Sequence, residues 1–228
     1  MRGWAALALG LVGLVVGMVV NVAIERIPDK LPLRPLGLRL RPGSRRRLGV
    51  QVACGLLWAA ATLRFGADWA LPAYLVFFTS LLAISVIDFD LHIIPNRLVY
   101  PTIFVSLPLL TLAAAAEGDW GRLRQALLGA ALAWLALLVI HLISPAGMGF
   151  GDVRLSFVLG LFLGWLSLRH VLTGVFLGFL LGALVGVGLV AFKIRSRKDA
   201  VPFGPFLAAG AIVCVLVGDP IIRVWIGA

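Results

Sequence analysis

Ten of the 228 residues are acidic, and three of those stand where a carboxylate is costly. Asp88 closes the apolar run Leu81-Leu82-Ala83-Ile84-Ser85-Val86-Ile87, with Asp90 and His92 directly after it. Asp152 closes the stretch Gly147-Met148-Gly149-Phe150-Gly151-Asp152, between two further apolar runs. A carboxylate joined to a membrane-length apolar segment is a functional candidate by default. Two such groups at one depth in a partly dry site do not both ionise cheaply, so they tend to share a proton. One then acts as base on a water while the other protonates or hydrogen-bonds the carbonyl under attack. That is the chemistry of peptide hydrolysis by an acid pair. Asp88 is favoured over Asp90 because it lies nearer the apolar run and is better desolvated. The three glycines before Asp152 would permit tight turns and close backbone approach.

The elements that must position these acids are membrane helices. The chain is 61% hydrophobic and 13% charged, with a mean hydropathy of +1.07. A soluble domain is about half apolar and a quarter charged, so this composition cannot coat a soluble globule. Two cysteines, Cys54 and Cys214, exclude a disulfide scaffold. The net charge of +10 suggests a nucleic-acid binder, but the Lys and Arg residues occupy short breaks between apolar runs, without aromatic interleaving or a known module. No nucleic-acid partner is expected. Eight runs approach the roughly 20 apolar residues a bilayer crossing needs: 3–24, 49–66, 69–87, 97–116, 123–143, 154–168, 171–192 and 203–217. The expectation is an all-α polytopic membrane protein of about eight helices, with residues 1–228 forming a single transmembrane domain.

Orientation follows from the basic residues, which accumulate on the cytoplasmic side. Arg26, Lys30, Arg34, Arg39, Arg41, Arg45, Arg46 and Arg47 follow the first run, and Lys193, Arg195, Arg197 and Lys198 follow the seventh. An eight-helix count puts both groups on one side, together with Arg97 and Arg154. The N-terminus is therefore expected outside and both candidate acids at cytoplasmic helix ends. The basic loop at about 25–48 carries Pro28, Pro32, Pro35 and Pro42, which disfavour a continuous helix. It is expected to meet anionic lipid heads. Asp68, Glu117, Asp119 and Asp219 read as solvated groups beside turns. Gly174, Gly178, Gly182 and Gly186, and likewise Gly10, Gly13 and Gly17, read as close-packing positions between helices. His92, His141 and His170 are too scattered for a metal site, though His92 is close enough to tune the acids.

Taken in order, Asp88 with Ile94-Pro95-Asn96, then Gly149-Phe150-Gly151-Asp152, then Pro202-Phe203-Gly204-Pro205 resemble the motifs of the type IV prepilin peptidases. These are intramembrane aspartic proteases with a Gly-x-Gly-Asp motif. The stretch from Asn21 to Pro28 is similar to the end of that family's first helix, so the resemblance runs from about residue 17 to about residue 210. It implies that Asp88 and Asp152 are the catalytic pair. It also implies that Gly149, Gly151, Pro202, Phe203, Gly204 and Pro205 support the active site, with Asp90 and His92 secondary. The implied reaction is cleavage of the basic leader of pilin-like or pseudopilin precursors, at the cytoplasmic face of the bacterial inner membrane, for type IV pili or type II secretion.

Two positions depart from the family pattern. Many members carry paired Cys-x-x-Cys motifs in the first cytoplasmic loop, where four thiolates would suit zinc. Residues 25–50 contain no cysteine, so neither zinc nor another cofactor is expected. The short loop also argues against S-adenosylmethionine-dependent methylation. Asn96 stands where many members have Asp. Two alternatives carry other chemistry: a transporter or channel that binds a proton or cation at the acids, and a different Gly-x-Gly-Asp intramembrane protease.

Overall fold

A computed structural model describes residues 2–27, 45–145, 147–192 and 202–226. Eight helices and no strand occur among them: α1 (Arg2–Arg26), α2 (Arg45–Phe65), α3 (Leu71–Leu91), α4 (Asn96–Glu117), α5 (Trp120–Ile143), α6 (Phe150–Leu166), α7 (Leu168–Ala191) and α8 (Gly204–Ile226). Seven are long and apolar enough to cross a membrane. The exception, α6, has 17 residues, about 26 Å at 1.5 Å per residue. It is also buried along most of its length, from Asp152 to Trp165. A helix enclosed by protein need not match the bilayer with its own apolar surface. Of the expected basic loop at about 25–48, residues 45–48 belong to α2 and 25–26 to α1. Residues 28–44 lie outside the described residues.

The chain divides into two compact units: Met1–Ile87 with Pro95–Gly118, and Asp88–Ile94 with Asp119–Ala228. In the first, α1 and α2 meet through small residues. A Cβ on Gly17 would lie 2.6 Å from Gln51 Cα, and one on Gly13 3.0 Å from Gly55 Cα. Asn21 Nδ2 donates to the carbonyls of Gly17 and Arg47, each at 3.0 Å. Arg47 pairs with Glu25 at 2.5 Å. Between helices, Trp58 Nε1 donates to Thr79 Oγ1 at 2.9 Å and Thr102 Oγ1 to Ser80 Oγ at 2.8 Å, the polar cross-links expected where lipid offers no partner.

In the second unit, α5 packs on α6 at glycine contacts: a Cβ on Gly129 would lie 2.6 Å from Gly160 O. α7 packs on α8 through Gly178 and Gly210, while Gly174 accommodates Leu163 and Gly182 accommodates Phe203. Three members of the four-residue glycine stripe thus pack as expected. Gly186, the fourth, has open space around it. The eighth helix continues past 217 to Ile226, with a break at Val217 (φ −135°, ψ 24°). Three residues later, Pro220 has no N–H to give the carbonyl of Leu216.

Asp219 corrects the sequence reading. It lies within α8 and faces His170 Nε2 at 3.4 Å instead of standing in a tail, though 47% of its side chain stays exposed to solvent.

Candidate active site

The second unit gathers the candidate chemistry. Asp88 sits in the last turn of α3, with 4% of its surface exposed. His92 then leaves the helix in the left-handed region at φ 55°, a conformation histidine adopts more readily than most residues. Its N–H donates to Asp88 O at 2.8 Å. This turn brings Ile94 back between two motifs. A Cβ on Gly151 would lie 3.0 Å from Ile94 Cβ, and one on Gly204 3.0 Å from Ile94 Cδ1.

Asp88 Oδ2 accepts the backbone N–H of Gly204 at 3.1 Å, in a buried position. Gly204 is the first residue of α8, where amides have no intrahelical acceptor and the helix dipole favours a negative group. The same glycine must lack a side chain, because its Cβ would lie 2.7 Å from Asp88 Oδ2. The Pro202-Phe203-Gly204-Pro205 stretch therefore acts first through one amide and one missing methyl group.

Asp152 is in the first turn of α6 and is 6% exposed. Its N–H donates to Gly149 O at 3.1 Å. Its Oδ1 is buried without a hydrogen-bond partner among the described residues. A buried unpartnered carboxylate oxygen is uncommon and calls for an explanation. The charges of Asp88 and Asp152 interact with each other, and that of His92 with Asp88.

The glycines before Asp152 differ from the expected turn. Gly149 caps α6 in extended conformation (φ −69°, ψ 147°), and Phe150, Gly151 and Asp152 are already helical. None of Gly147, Gly149 and Gly151 has a positive φ. Close approach, at Gly151 against Ile94, is the reason that survives.

A cavity of about 380 Å³ opens between these segments. Asp88, Asp152, His92, Ile94, Arg154 and Phe203 line it, along with the glycines at 147, 149 and 151 and Pro202. Phe203 is held against Phe179, ring centroids 4.8 Å apart. Asp90, Gly204 and Pro205 are not in the lining; Asp90 is exposed at the same helix end, and Gly204 and Pro205 are in the first turn of α8. Sequence reasoning missed Arg154 as a lining residue, having counted it only for topology. Its guanidinium stacks 4.6 Å from the Phe150 ring centroid, a neighbour predictable from the four-residue spacing in one helix. It also missed His141, which contacts the segment before α6. No group of three or more His, Cys, Asp or Glu able to hold a metal occurs among the described residues.

The volume falls within the range of ligand-binding clefts. Two carboxylates from chain positions 64 residues apart, one bonded to an amide and one with a spare buried oxygen, can hold and activate a water.

Comparison with known proteins gives the same direction. The type IV leader peptidase family matches residues 75–187. A Pseudomonas putida protein named prepilin leader peptidase/N-methyltransferase is 36% identical over 177 residues, covering 75% of this chain and 59% of that protein. Its namesake in Bacillus subtilis is 36% identical over 176 residues, covering 77% of this chain and 68% of the relative. The one in Pseudomonas aeruginosa is 34% identical over 182 residues, covering 78% and 60%. The chain spans about three fifths of the length of the Pseudomonas relatives. No solved structure gives a significant match. With the matching segment running from α3 into α7 and holding both buried acids, the chain belongs to the type IV leader peptidase family.

Proposed function

We propose that this protein is a membrane-embedded aspartic endopeptidase that removes the basic leader from type IV prepilin-like precursors. The observation that carries the reading is the pair of buried acids, Asp88 and Asp152, lining one cavity. The name that the relatives share, prepilin leader peptidase/N-methyltransferase, supports the substrate class. In the proposed reaction the two carboxyls share one proton. The ionised member takes a proton from water as the water oxygen bonds to the scissile carbonyl carbon. The protonated member gives its proton to the carbonyl oxygen, forming a neutral gem-diol. As the C–N bond breaks, the proton from water passes to the leaving amine, and a diol proton returns to the other carboxylate. The pair is then restored.

Gly204 holds Asp88 through its amide, and Pro202 and Phe203 wall the cavity. Gly151 gives the room that Ile94 needs, Gly149 caps α6, Pro205 lies in the first turn of α8, and Asp90 and His92 play secondary parts. The basic stretches support an outside N-terminus, cleavage at the cytoplasmic face of the bacterial inner membrane, and contact with anionic lipid heads. The proposed activity is cleavage without zinc or methyl transfer. The first loop has no cysteine, and Asn21 and Glu25, the polar groups retained at the end of α1, tie α1 to α2.

The test uses the full chain in nanodiscs with a synthetic peptide joining a basic leader to an apolar helix. Wild type cuts at the junction, and Asp88→Asn and Asp152→Asn do not, while all three proteins melt alike. Full cleavage by either variant would overturn the acid-pair reading.

A further inference from the structure

The segment that leads into α6, and so to Asp152 in its first turn, is poorly constrained by its own residues. Gly147 and Gly149 stand in it just before the helix, and glycine has the widest backbone freedom of any residue. A carboxylate that must meet a second acid and a water within a few tenths of an ångström needs an external anchor. The last turn of α5 supplies one.

His141 Nδ1 lies 2.7 Å from the carbonyl oxygen of Met148. A carbonyl only accepts, so Nδ1 is the protonated nitrogen, and in the neutral ring Nε2 carries the lone pair. The acceptor belongs to the Met148–Gly149 peptide, and holding that plane sets the direction in which the backbone enters Gly149, the cap of α6. Gly149 O in turn accepts the N–H of Asp152 at 3.1 Å. The imidazole ring also lies against Phe150, centroids 5.5 Å apart, and the other neighbour of that ring is Arg154. Met148 itself is buried, and the Gly147 N–H to Ser144 O bond of 3.0 Å closes the turn before it. One continuous series of contacts therefore runs from the imidazole, through a peptide plane, to the backbone of Asp152.

We propose that His141 is a positioning residue for Asp152, acting through the Met148–Gly149 peptide. The proposal rests on the peptidase reading above. It predicts a loss in turnover without a matching loss in substrate binding, because the contact orients an acid and leaves the cavity walls in place.

The discriminating variants are His141→Asn, His141→Gln and His141→Leu, in the full chain in nanodiscs with the leader peptide. The Asn amide nitrogen stands as many bonds from Cα as Nδ1 does, whereas the Gln amide nitrogen stands one bond further. His141→Leu should lower kcat by about 10²-fold, the scale of a misplaced catalytic group, with KM within about twofold. His141→Asn should recover to within about fivefold of wild type, and His141→Gln should stay near the Leu variant. Should the Leu variant fail to fold, the Asn–Gln contrast still decides. Equal loss in Asn and Gln would overturn the proposal in favour of ring packing on Phe150, as would wild-type kcat in a folded Leu variant. Asp152→Asn is assayed alongside. If it is inert while His141→Leu is fully active, positioning alone fails; if it cuts normally, the peptidase reading fails as well.

Discussion

The two ends of α6 hold nearly the same chemical groups and arrange them to opposite effect. At the start, Asp152 faces a cavity shared with Asp88 and His92. Past the far end, some 15 residues and about 22 Å along the axis, Ser167 Oγ meets His170 Nδ1 at 2.8 Å and His170 Nε2 faces Asp219 at 3.4 Å. The second cluster has the residue types of a nucleophilic triad. Its geometry is that of a joint. Ser167 Oγ also takes the N–H of His170 at 3.3 Å, capping α7. Cys214 Sγ donates to His170 O at 3.4 Å, and a Cβ on Gly218 would lie 2.8 Å from the imidazole. The histidine is packed on several sides and joins the start of α7 to the break in α8. At the first end glycines leave space and one carboxylate oxygen has no donor among the described residues. Reactive residue types do not make a site; accessible volume around them does.

The sharpest way to break this contrast is to neutralise one acid at each end. Asp152→Asn should reduce leader cleavage by about 10³-fold or more, as loss of a member of a cooperating catalytic set does, with no fall in Tm. Asp219→Asn should leave the rate within about twofold and lower Tm, since it removes the partner of a buried imidazole. Cleavage assays and thermal unfolding of the two purified proteins check this. A folded but inert Asp219→Asn protein would make the far cluster part of the reaction.

A matched pair of glycine substitutions gives the next largest effect. Gly204→Ala and Gly218→Ala each add one methyl group, 2.7 Å from Asp88 Oδ2 and 2.8 Å from the His170 ring respectively. Gly204→Ala should displace Asp88 from its amide and cut kcat by about 10²-fold. Gly218→Ala should cost about 1–3 kcal/mol through overpacking and leave kcat of the folded fraction unchanged. Similar kcat losses in both would show that strain anywhere along α8 reaches the acids.

The sequence carried the bundle more clearly than the joints within it. Hydropathy is a property of consecutive residues, so all eight apolar runs correspond to helices. Their ends were less legible: α6 begins at Phe150 instead of 154 and α8 continues past its break to Ile226. Of the site, Asp88, Asp152 and the glycines at 147, 149 and 151 stood out because polar or small residues interrupt apolar runs there, Phe203 stood out through the family resemblance alone, and all of them line one cavity. The partners of Asp219 and His141 were not legible for a common reason. Each gains its meaning from a partner set by packing, His170 across α7 and α8 and the Met148 carbonyl beyond α5. Neither contact leaves a periodic trace in sequence.

The smallest expected effect concerns the third acid of the Asp88 region. Residues two apart on a helix point about 200° from one another, at 100° per residue. With Asp88 turned inward, Asp90 must turn away, and it is exposed while Asp88 is buried. A carboxylate at the C-terminal turn of a helix also faces the negative end of the dipole, so neutralising Asp90 removes a mildly unfavourable charge. Asp90→Asn should therefore cut the leader peptide within about twofold of the wild-type rate, as expected of an exposed group outside the cavity lining, and melt close to the wild-type temperature. The measurement is a progress curve and a thermal scan beside Asp88→Asn. An inert Asp90→Asn next to an active Asp88→Asn would transfer the partnership with Asp152 to Asp90 and require the end of α3 to turn over during catalysis.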